Sequence, residues 1–125
     1  MNREDLQYFI AIDMIPGIGS INAKKLIAYC GGAAAVFKEK KANLQKIPGI
    51  GEYLSKSIAQ QKVLDLAQRE IEFIEKYGIT SLVYVDKSYP ERLKACEDGP
   101  VVIFLKGEVD LNYGKLMAVV GTRSA

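Results

Sequence analysis

The 125-residue chain contains no histidine and only two cysteines, Cys30 and Cys96. Two cysteines are too few for a disulfide framework or a cysteine-based zinc cluster. The absence of histidine removes the commonest metal ligand and the usual general base. We therefore expect no metal centre, no histidine-based catalytic triad and no cofactor, and no catalytic acid–base pair stands out among the remaining residues.

Long apolar runs are also missing. No stretch approaches the ~20 apolar residues that a helix needs to span a bilayer, and Met1-Asn2-Arg3-Glu4-Asp5 does not open a signal segment. These absences predict a cytoplasmic protein with no membrane partner. Because 49% of the residues are hydrophobic, a packed core is feasible in one ordinary domain, or in one small domain plus a fragment.

One pentapeptide occurs twice in the chain. Ile-Pro-Gly-Ile-Gly spans Ile15–Gly19 and recurs letter for letter at Ile47–Gly51, 32 residues later. A helix-forming run follows each copy, and Lys24 in the first run aligns with Lys56 in the second. The alignment also pairs Ala23 with Ser55 and Leu26 with Ile58. Such self-similarity indicates two copies of one supersecondary unit.

The pentapeptide has the composition of a tight corner before a helix. Proline ends the incoming helix or deflects the chain, and glycine permits positive φ and close backbone approach. The next helix then presents free N–H groups and its positive dipole end at the turn, where a phosphate oxygen can bind. The predicted phosphate contacts are Gly17, Gly19 and Lys24 in the first copy, and Gly49, Gly51 and Lys56 in the second.

This pattern resembles the helix-hairpin-helix motif, and two packed copies resemble a unit that contacts the DNA backbone rather than the bases. The same corner also occurs in hairpins that touch no nucleic acid, so a protein-interaction or spacer domain is the alternative. The charge distribution fits a phosphate partner, because eight lysines between residues 24 and 62 are accompanied only by Glu39 and Glu52 as acidic residues.

Helical periodicity and capping signals predict an all-α domain over residues 1–78. The expected helices run from Arg3 to about Met14, from a cap at Ser20 to about Cys30, over Ala33–Lys38, over Asn43–Lys46, from Glu52 to about Gln60, and from about Gln61 or Lys62 to Tyr77. No breaker separates the last two, which could form one helix. Cys30 is expected to be a small core residue, and Gly78 to end the last helix.

The pattern changes to strands after Gly78. Apolar and β-branched runs predict strands at Ser81–Val85, Val101–Leu105 and Leu116–Val120, the second of them buried on both faces. The third runs into Gly121-Thr122-Arg123, as a strand does before the phosphate-binding loop of a nucleotide-binding fold. We therefore expect an α+β chain in which residues 79–125 begin a truncated Rossmann-like α/β domain.

The order of these elements resembles the DNA-processing protein A family, also called DprA or Smf. The resemblance rests on the tandem hairpins and on three later segments: Tyr89-Pro90-Glu91-Arg92-Leu93, Gly99-Pro100 before an apolar strand and Gly107, and Val119-Val120-Gly121-Thr122-Arg123. It implies a helical, SAM-like domain followed by an extended Rossmann-like domain. It also implies a recombination mediator, not an enzyme, that binds single-stranded DNA and loads the RecA recombinase during natural transformation.

The resemblance also implies roles for individual residues. Gly121 and Thr122 would donate hydrogen bonds to a phosphate, and Arg123 would make the charged contact. We assign Tyr89 and Arg92 a structural role, in which they pack the linker against the sheet.

Two further hypotheses remain open. A nucleotide-binding enzyme is weakly supported, because the dinucleotide fingerprint needs a spaced set of glycines and one is present. Because the strands predicted at Val101–Leu105 and Leu116–Val120 look buried but lack their expected neighbours, we also expect self-association through strand pairing or exchange.

Overall fold

The computed structural model describes residues 2–106, in which six helices precede two strands and a short seventh helix lies between the strands. The elements in chain order are α1 (Arg3–Asp13), α2 (Gly19–Cys30), α3 (Ala33–Lys38), α4 (Lys41–Leu44), α5 (Glu52–Gln60), α6 (Lys62–Tyr77), β1 (Ile79–Val83), α7 (Glu91–Lys94) and β2 (Val102–Lys106). This architecture agrees with the predicted α+β class. The predicted strand at 116–120 and the loop at 121–123 lie outside the described residues.

Helix α1 begins where the sequence predicts a cap. The Asn2 side chain accepts a hydrogen bond of 2.8 Å from the backbone N–H of Asp5, which satisfies one of the N–H groups left over at a helix start. The buried face of α1 packs against α6 and α3. Gln7 adds a hydrogen bond of 3.0 Å from its side-chain amide to the carbonyl of Leu64.

Two predicted helix starts are wrong. Ser20 lies inside α2 rather than capping it, because α2 begins at Gly19 and no side chain caps its first turn. Helix α4 covers Lys41–Leu44 instead of 43–46. It ends early because the chain already turns towards the second pentapeptide, with the N–H of Ile47 bonded to the carbonyl of Leu44 at 3.1 Å.

The two copies of the pentapeptide form the same turn. The N–H of Ile18 bonds to the carbonyl of Ile15 at 3.2 Å, and that of Ile50 to the carbonyl of Ile47 at 3.0 Å. Between them stand proline and then a glycine with positive φ, as in a type II turn. The φ values are 78° at Gly17 and 87° at Gly49. All four isoleucines are buried and attach both turns to the core.

The two copies differ after the first glycine. Gly19 has φ of 68° and is the first residue of α2, whereas Gly51 has an extended backbone (φ −86°, ψ −172°) and precedes α5. The first glycines of the two copies also have different surroundings. A Cβ on Gly49 would lie 2.9 Å from Oδ1 of Asn22, whereas a Cβ on Gly17 would meet nothing within 4 Å. Helix α2 therefore packs against the second turn.

Helices α5 and α6 are separate, although local signals allow one continuous helix. Gln61 lies between them in the left-handed region, with φ of 58°. Such a conformation costs a non-glycine residue roughly 1–2 kcal/mol. The Gln61 side chain offsets part of this cost, because its amide donates a 3.0 Å hydrogen bond to the carbonyl of Phe37.

Strands β1 and β2 pair antiparallel, with Ile79 opposite Lys106 and Val83 opposite Val102. Strand β1 begins two residues before its predicted start, and Asp86 ends it by accepting a 2.8 Å hydrogen bond from the N–H of Val83. Only Val102 of β2 is buried, and the next three residues are half-buried. The prediction of a strand buried on both faces is therefore wrong for β2.

Helices and strands share one core in the described part of the chain. Val83, Val101 and Val102 belong to the same buried cluster as the apolar faces of the helices. The ring of Phe9 on α1 meets the ring of Tyr84 edge-on, with centroids 6.3 Å apart. The boundary predicted at residues 78 and 79 thus separates two patterns of secondary structure, and the division into two domains stays a prediction.

Tyr89 is buried in the segment that connects β1 to β2 and fixes its conformation. Its side chain is 1% exposed, and its hydroxyl donates a 2.6 Å hydrogen bond to the carbonyl of Pro100. Gly99 leaves no room for a side chain, since a Cβ there would lie 2.5 Å from the carbonyl oxygen of Leu93. The structural role predicted for Tyr89 is supported, whereas Arg92 is exposed and its predicted packing role is not.

Replacing Tyr89 should therefore affect stability more than DNA binding. Tyr89→Ala removes a buried ring and should cost about 3–5 kcal/mol in the free energy of unfolding. Tyr89→Phe removes only the hydrogen bond to Pro100 and should cost about 1 kcal/mol. Urea unfolding measures both changes, with Tyr77→Phe as an exposed control. A Tyr89→Phe protein that keeps its stability but has weaker DNA affinity would contradict the structural role.

Alanine at the two turn glycines should distinguish the copies. Both substitutions place an L-residue at positive φ, which costs roughly 1–2 kcal/mol. Gly49→Ala should destabilise the protein more than Gly17→Ala, because only at Gly49 must the Asn22 amide move. Urea unfolding of both variants shows which substitution lowers the free energy of unfolding more. In an Asn22→Ala background, the additional destabilisation by Gly49→Ala should disappear. Equal destabilisation in the original background would show that Asn22 moves without cost.

Candidate nucleic-acid interface

Both hairpin turns present helix starts that no side chain caps. Helices α2 and α5 begin without a side-chain hydrogen bond at their N-caps, as do the other described helices except α1, which Asn2 caps. The glycines of both turns are exposed, so these helix starts face solvent. Uncapped N–H groups at the positive end of a helix dipole are suited to bind an anion. The predicted roles of Gly17, Gly19, Gly49 and Gly51 are compatible with this geometry.

Lys24 does not extend towards its own turn. Its amine lies 3.4 Å from the carbonyl oxygen of Glu97 and 5.2 Å from the ring centroid of Tyr84. The side chain is half-buried and connects α2 to the segment around the strands. A phosphate contact by Lys24 would have to compete with these two interactions.

Lys25, which is not among the residues predicted from the sequence, lies at the second turn. Its amine donates a 3.1 Å hydrogen bond to the carbonyl of Pro48. It also lies beside Gly49, close to the position that a Cβ would occupy there. The repeat gives no signal for this lysine, because the aligned residue in the second copy is Ser57.

Lys56 lies near the first turn, in an open groove of about 430 Å³. The groove is formed by the end of α1, the first turn, α5 and α6. Its lining residues are Met14, Pro16, Tyr53, Lys56, Ser57, Gln60, Lys62, Val63 and Leu66. Each turn is thus accompanied by a lysine from the other copy: Lys25 at the second turn and Lys56 at the first. The sequence repeat instead predicts that each turn uses a lysine of its own copy.

The groove also contains functional candidates that the sequence does not point out. Tyr53 is 65% exposed and Leu66 43% exposed, which is unusual for large apolar side chains that line a concave surface. Tyr53 aligns in the repeat with Ile21, itself 46% exposed. The only sequence signal for Tyr53 is this alignment, which places a large apolar residue at the same position after each turn.

The two acidic residues between residues 24 and 62, Glu39 and Glu52, interact with side chains and backbone groups that do not line the groove. Glu39 accepts hydrogen bonds from the Asn43 side chain (2.7 Å) and from the N–H of Lys40 (3.0 Å), and these bonds lower the pKa of the Glu39 carboxyl. Glu52 is paired with Lys41 at 3.8 Å. Neither carboxylate is among the described lining residues of the groove, so its lysines determine its local charge.

The remaining predictions concern residues 121–123, Cys30, metal binding and membrane spans. Gly121, Thr122 and Arg123 lie outside the described residues, and their phosphate contact stays a prediction. Cys30 is half-buried against the core, as predicted, and burial raises the pKa of its thiol. Among residues 2–106, no group of three or more histidine, cysteine or acidic side chains is placed to hold a metal ion. The helices of that range are too short or too polar to cross a membrane.

Comparison with known families concerns the second part of the chain. The model of the family described as DNA recombination-mediator protein A matches residues 80–125, a little over a third of the chain. Searches of curated proteins and of solved structures gave no significant match. The matched segment contains Tyr89-Pro90, Gly99-Pro100 and Gly121-Thr122-Arg123. The resemblance predicted from the sequence is thus confirmed: over residues 80–125 this chain matches the DNA recombination-mediator protein A family.

Proposed function

We propose that this chain acts in a cytoplasmic DNA recombination mediator, where it binds single-stranded DNA for delivery to the RecA recombinase during natural transformation. The observation that carries the proposal is the family match over residues 80–125. The role is one of binding and needs no catalytic residue. In this proposal residues 1–78 form a tandem helix-hairpin-helix, SAM-like domain, and residues 79–125 begin a Rossmann-like domain.

The geometry of the hairpins supports a contact with the DNA backbone. Two uncapped helix starts face solvent, and lysines from the opposite copy lie near both turns. Lysine is a flexible point charge that binds phosphate without demanding a particular base. We therefore propose that the turns contact the phosphate backbone of DNA through their glycines, Gly17, Gly19, Gly49 and Gly51.

The proposed phosphate contacts outside the turns fall into two groups, one in the helical part of the chain and one near its end. Of the two lysines predicted from the repeat, Lys56 is the better placed to bind a phosphate, because it is exposed and lines the groove. Lys24 is retained as a second candidate that must first leave Glu97 and Tyr84. The family resemblance places Gly121, Thr122 and Arg123 at a separate phosphate contact.

The alternative is a spacer or protein-interaction domain with no DNA contact of its own. The observation in its favour is that Lys24 and Lys25 both donate to backbone carbonyls within the chain. In that case the helical part only positions the segment after Gly78. The two proposals differ in one measurable property, the salt dependence of DNA binding by this chain.

The chain should bind labelled oligonucleotides with an affinity that falls steeply as salt increases, because bound lysines release counterions from the phosphates. Fluorescence anisotropy across a salt series measures this with single-stranded and duplex DNA. Replacing Lys56 and Lys62 together by glutamine should weaken binding and reduce the slope of log K against log salt by about 1 for each phosphate that is no longer bound. Lys24→Gln should have a smaller effect, because its amine already has partners within the chain.

Lys76→Gln provides a matched control. Lys76 is exposed on the same helix as Lys62, and 14 residues at a rise of about 1.5 Å place it roughly 21 Å away. Its removal should leave affinity and slope nearly unchanged. Absence of binding at low salt would contradict the proposal and favour the spacer domain. Equal weakening in all lysine variants would indicate a diffuse charge effect without a defined interface.

A further inference from the structure

The groove beside the first hairpin turn combines features that single-stranded nucleic acids require. Its volume of about 430 Å³ lies within the ~300–1,000 Å³ typical of small-ligand sites. This is room for a nucleotide unit, whereas a duplex is far wider. Apolar side chains from three elements line it, namely Met14 at the end of α1, Pro16 in the turn, and Val63 and Leu66 on α6.

An exposed aromatic ring lies on one wall of this groove. The Tyr53 side chain is 65% exposed, and Tyr53 lines the groove together with apolar residues. Every base has a π-face, so a tyrosine ring can stack any unpaired base without reading its sequence. In a duplex each base is already stacked between its neighbours, which makes the ring accessible only to single strands.

The groove also has the charge that such a ligand needs. Lys56 on α5 and Lys62 on α6 line it, and its described lining contains no acidic side chain. Both lysines are exposed, and neither side-chain amine makes a hydrogen bond or ion pair with another of residues 2–106 in this structure. A positively charged groove next to an aromatic ring is the arrangement by which proteins bind single strands.

The corner at Gln61 brings these residues together. If α5 and α6 were one straight helix, Lys56 and Lys62 would lie six residues apart, about 240° around the axis at 3.6 residues per turn. The left-handed conformation of Gln61 ends α5 and starts α6 in a new direction. Its hydrogen bond to Phe37 holds the corner, and residues of both helices then line one groove.

We propose that this groove is a single-strand binding site, in which one base stacks on Tyr53 while Lys56 and Lys62 bind adjacent phosphates. The inference rests on the proposed DNA-binding function and deepens it by naming the ligand form and an aromatic contact. It places a single-strand site in the helical part of the chain, at residues outside the segment that matches the family model.

The test compares labelled oligothymidylate with a duplex of the same length, using this chain and three tyrosine variants. Tyr53→Ala should weaken single-strand binding by about fivefold or more, the effect expected for one stacked base. Duplex affinity and the salt slope should not change, because no charge is removed. Tyr53→Phe keeps the ring and should bind as the original does. Tyr29→Ala is the control, since Tyr29 is 63% exposed and does not line the groove.

The outcomes separate this inference from the function on which it rests. No DNA binding by the original chain overturns both. Two results would overturn the proposed single-strand site but not the DNA-binding function. In one, Tyr53→Ala leaves salt-dependent binding intact; in the other, it weakens binding equally for both DNA forms. Selective weakening of single-strand affinity in Tyr53→Ala, with Tyr29→Ala unaffected, supports the groove.

A second measurement applies even if Tyr53→Ala folds poorly. Oligothymidylate carrying 5-iodouracil crosslinks on irradiation to aromatic side chains that stack on the modified base. Mass spectrometry of the original chain should locate the crosslink at Tyr53. Crosslinks only at other tyrosines, such as Tyr29 or Tyr77, would overturn the proposal.

Discussion

Both corners of the helical repeat depend on one backbone conformation, a glycine with positive φ directly after a proline. This conformation allows the N–H of Ile18 and that of Ile50 to close equivalent turns. Each turn buries its pair of isoleucines and starts the next helix at the surface. The exposed N–H groups that could bind phosphate therefore result from the same geometry that folds the core, and a substitution at Gly17 or Gly49 would affect both.

The lysine near each pentapeptide turn comes from the other copy of the repeat. Lys25 from the first copy bonds to Pro48 in the second turn, and Lys56 from the second copy shares a groove with Pro16 of the first turn. The lysine stem is long and flexible, so its amine can reach a neighbouring element as easily as its own turn. A single hairpin taken from this chain would lack the lysine that accompanies its turn.

Much of the helical fold could be predicted from local signals. Helices α3, α5 and α6, the Asn2 cap and the stop at Gly78 lie at or close to their predicted positions, because caps, glycines and apolar periodicity act within a few residues. The differences arise where a neighbouring element decides, as at the early end of α4, the start of α2 and the half-buried face of β2. Of the candidate site, the turn glycines could be predicted, whereas Lys25, Lys62 and Tyr53 could not.

The sequence by itself determined the repeat, the two turns, the burial of their isoleucines and the similarity to a recombination-mediator family, because each depends on residue types at fixed short spacings. Tertiary structure alone decided where the lysine amines lie and whether α5 and α6 are one helix. Gln61 adopts positive φ, and Phe37, from a distant part of the chain, accepts a hydrogen bond from its side chain. The corner between α5 and α6, which brings Tyr53 and Lys62 to one groove, is thus stabilised by a long-range contact that no local pattern encodes.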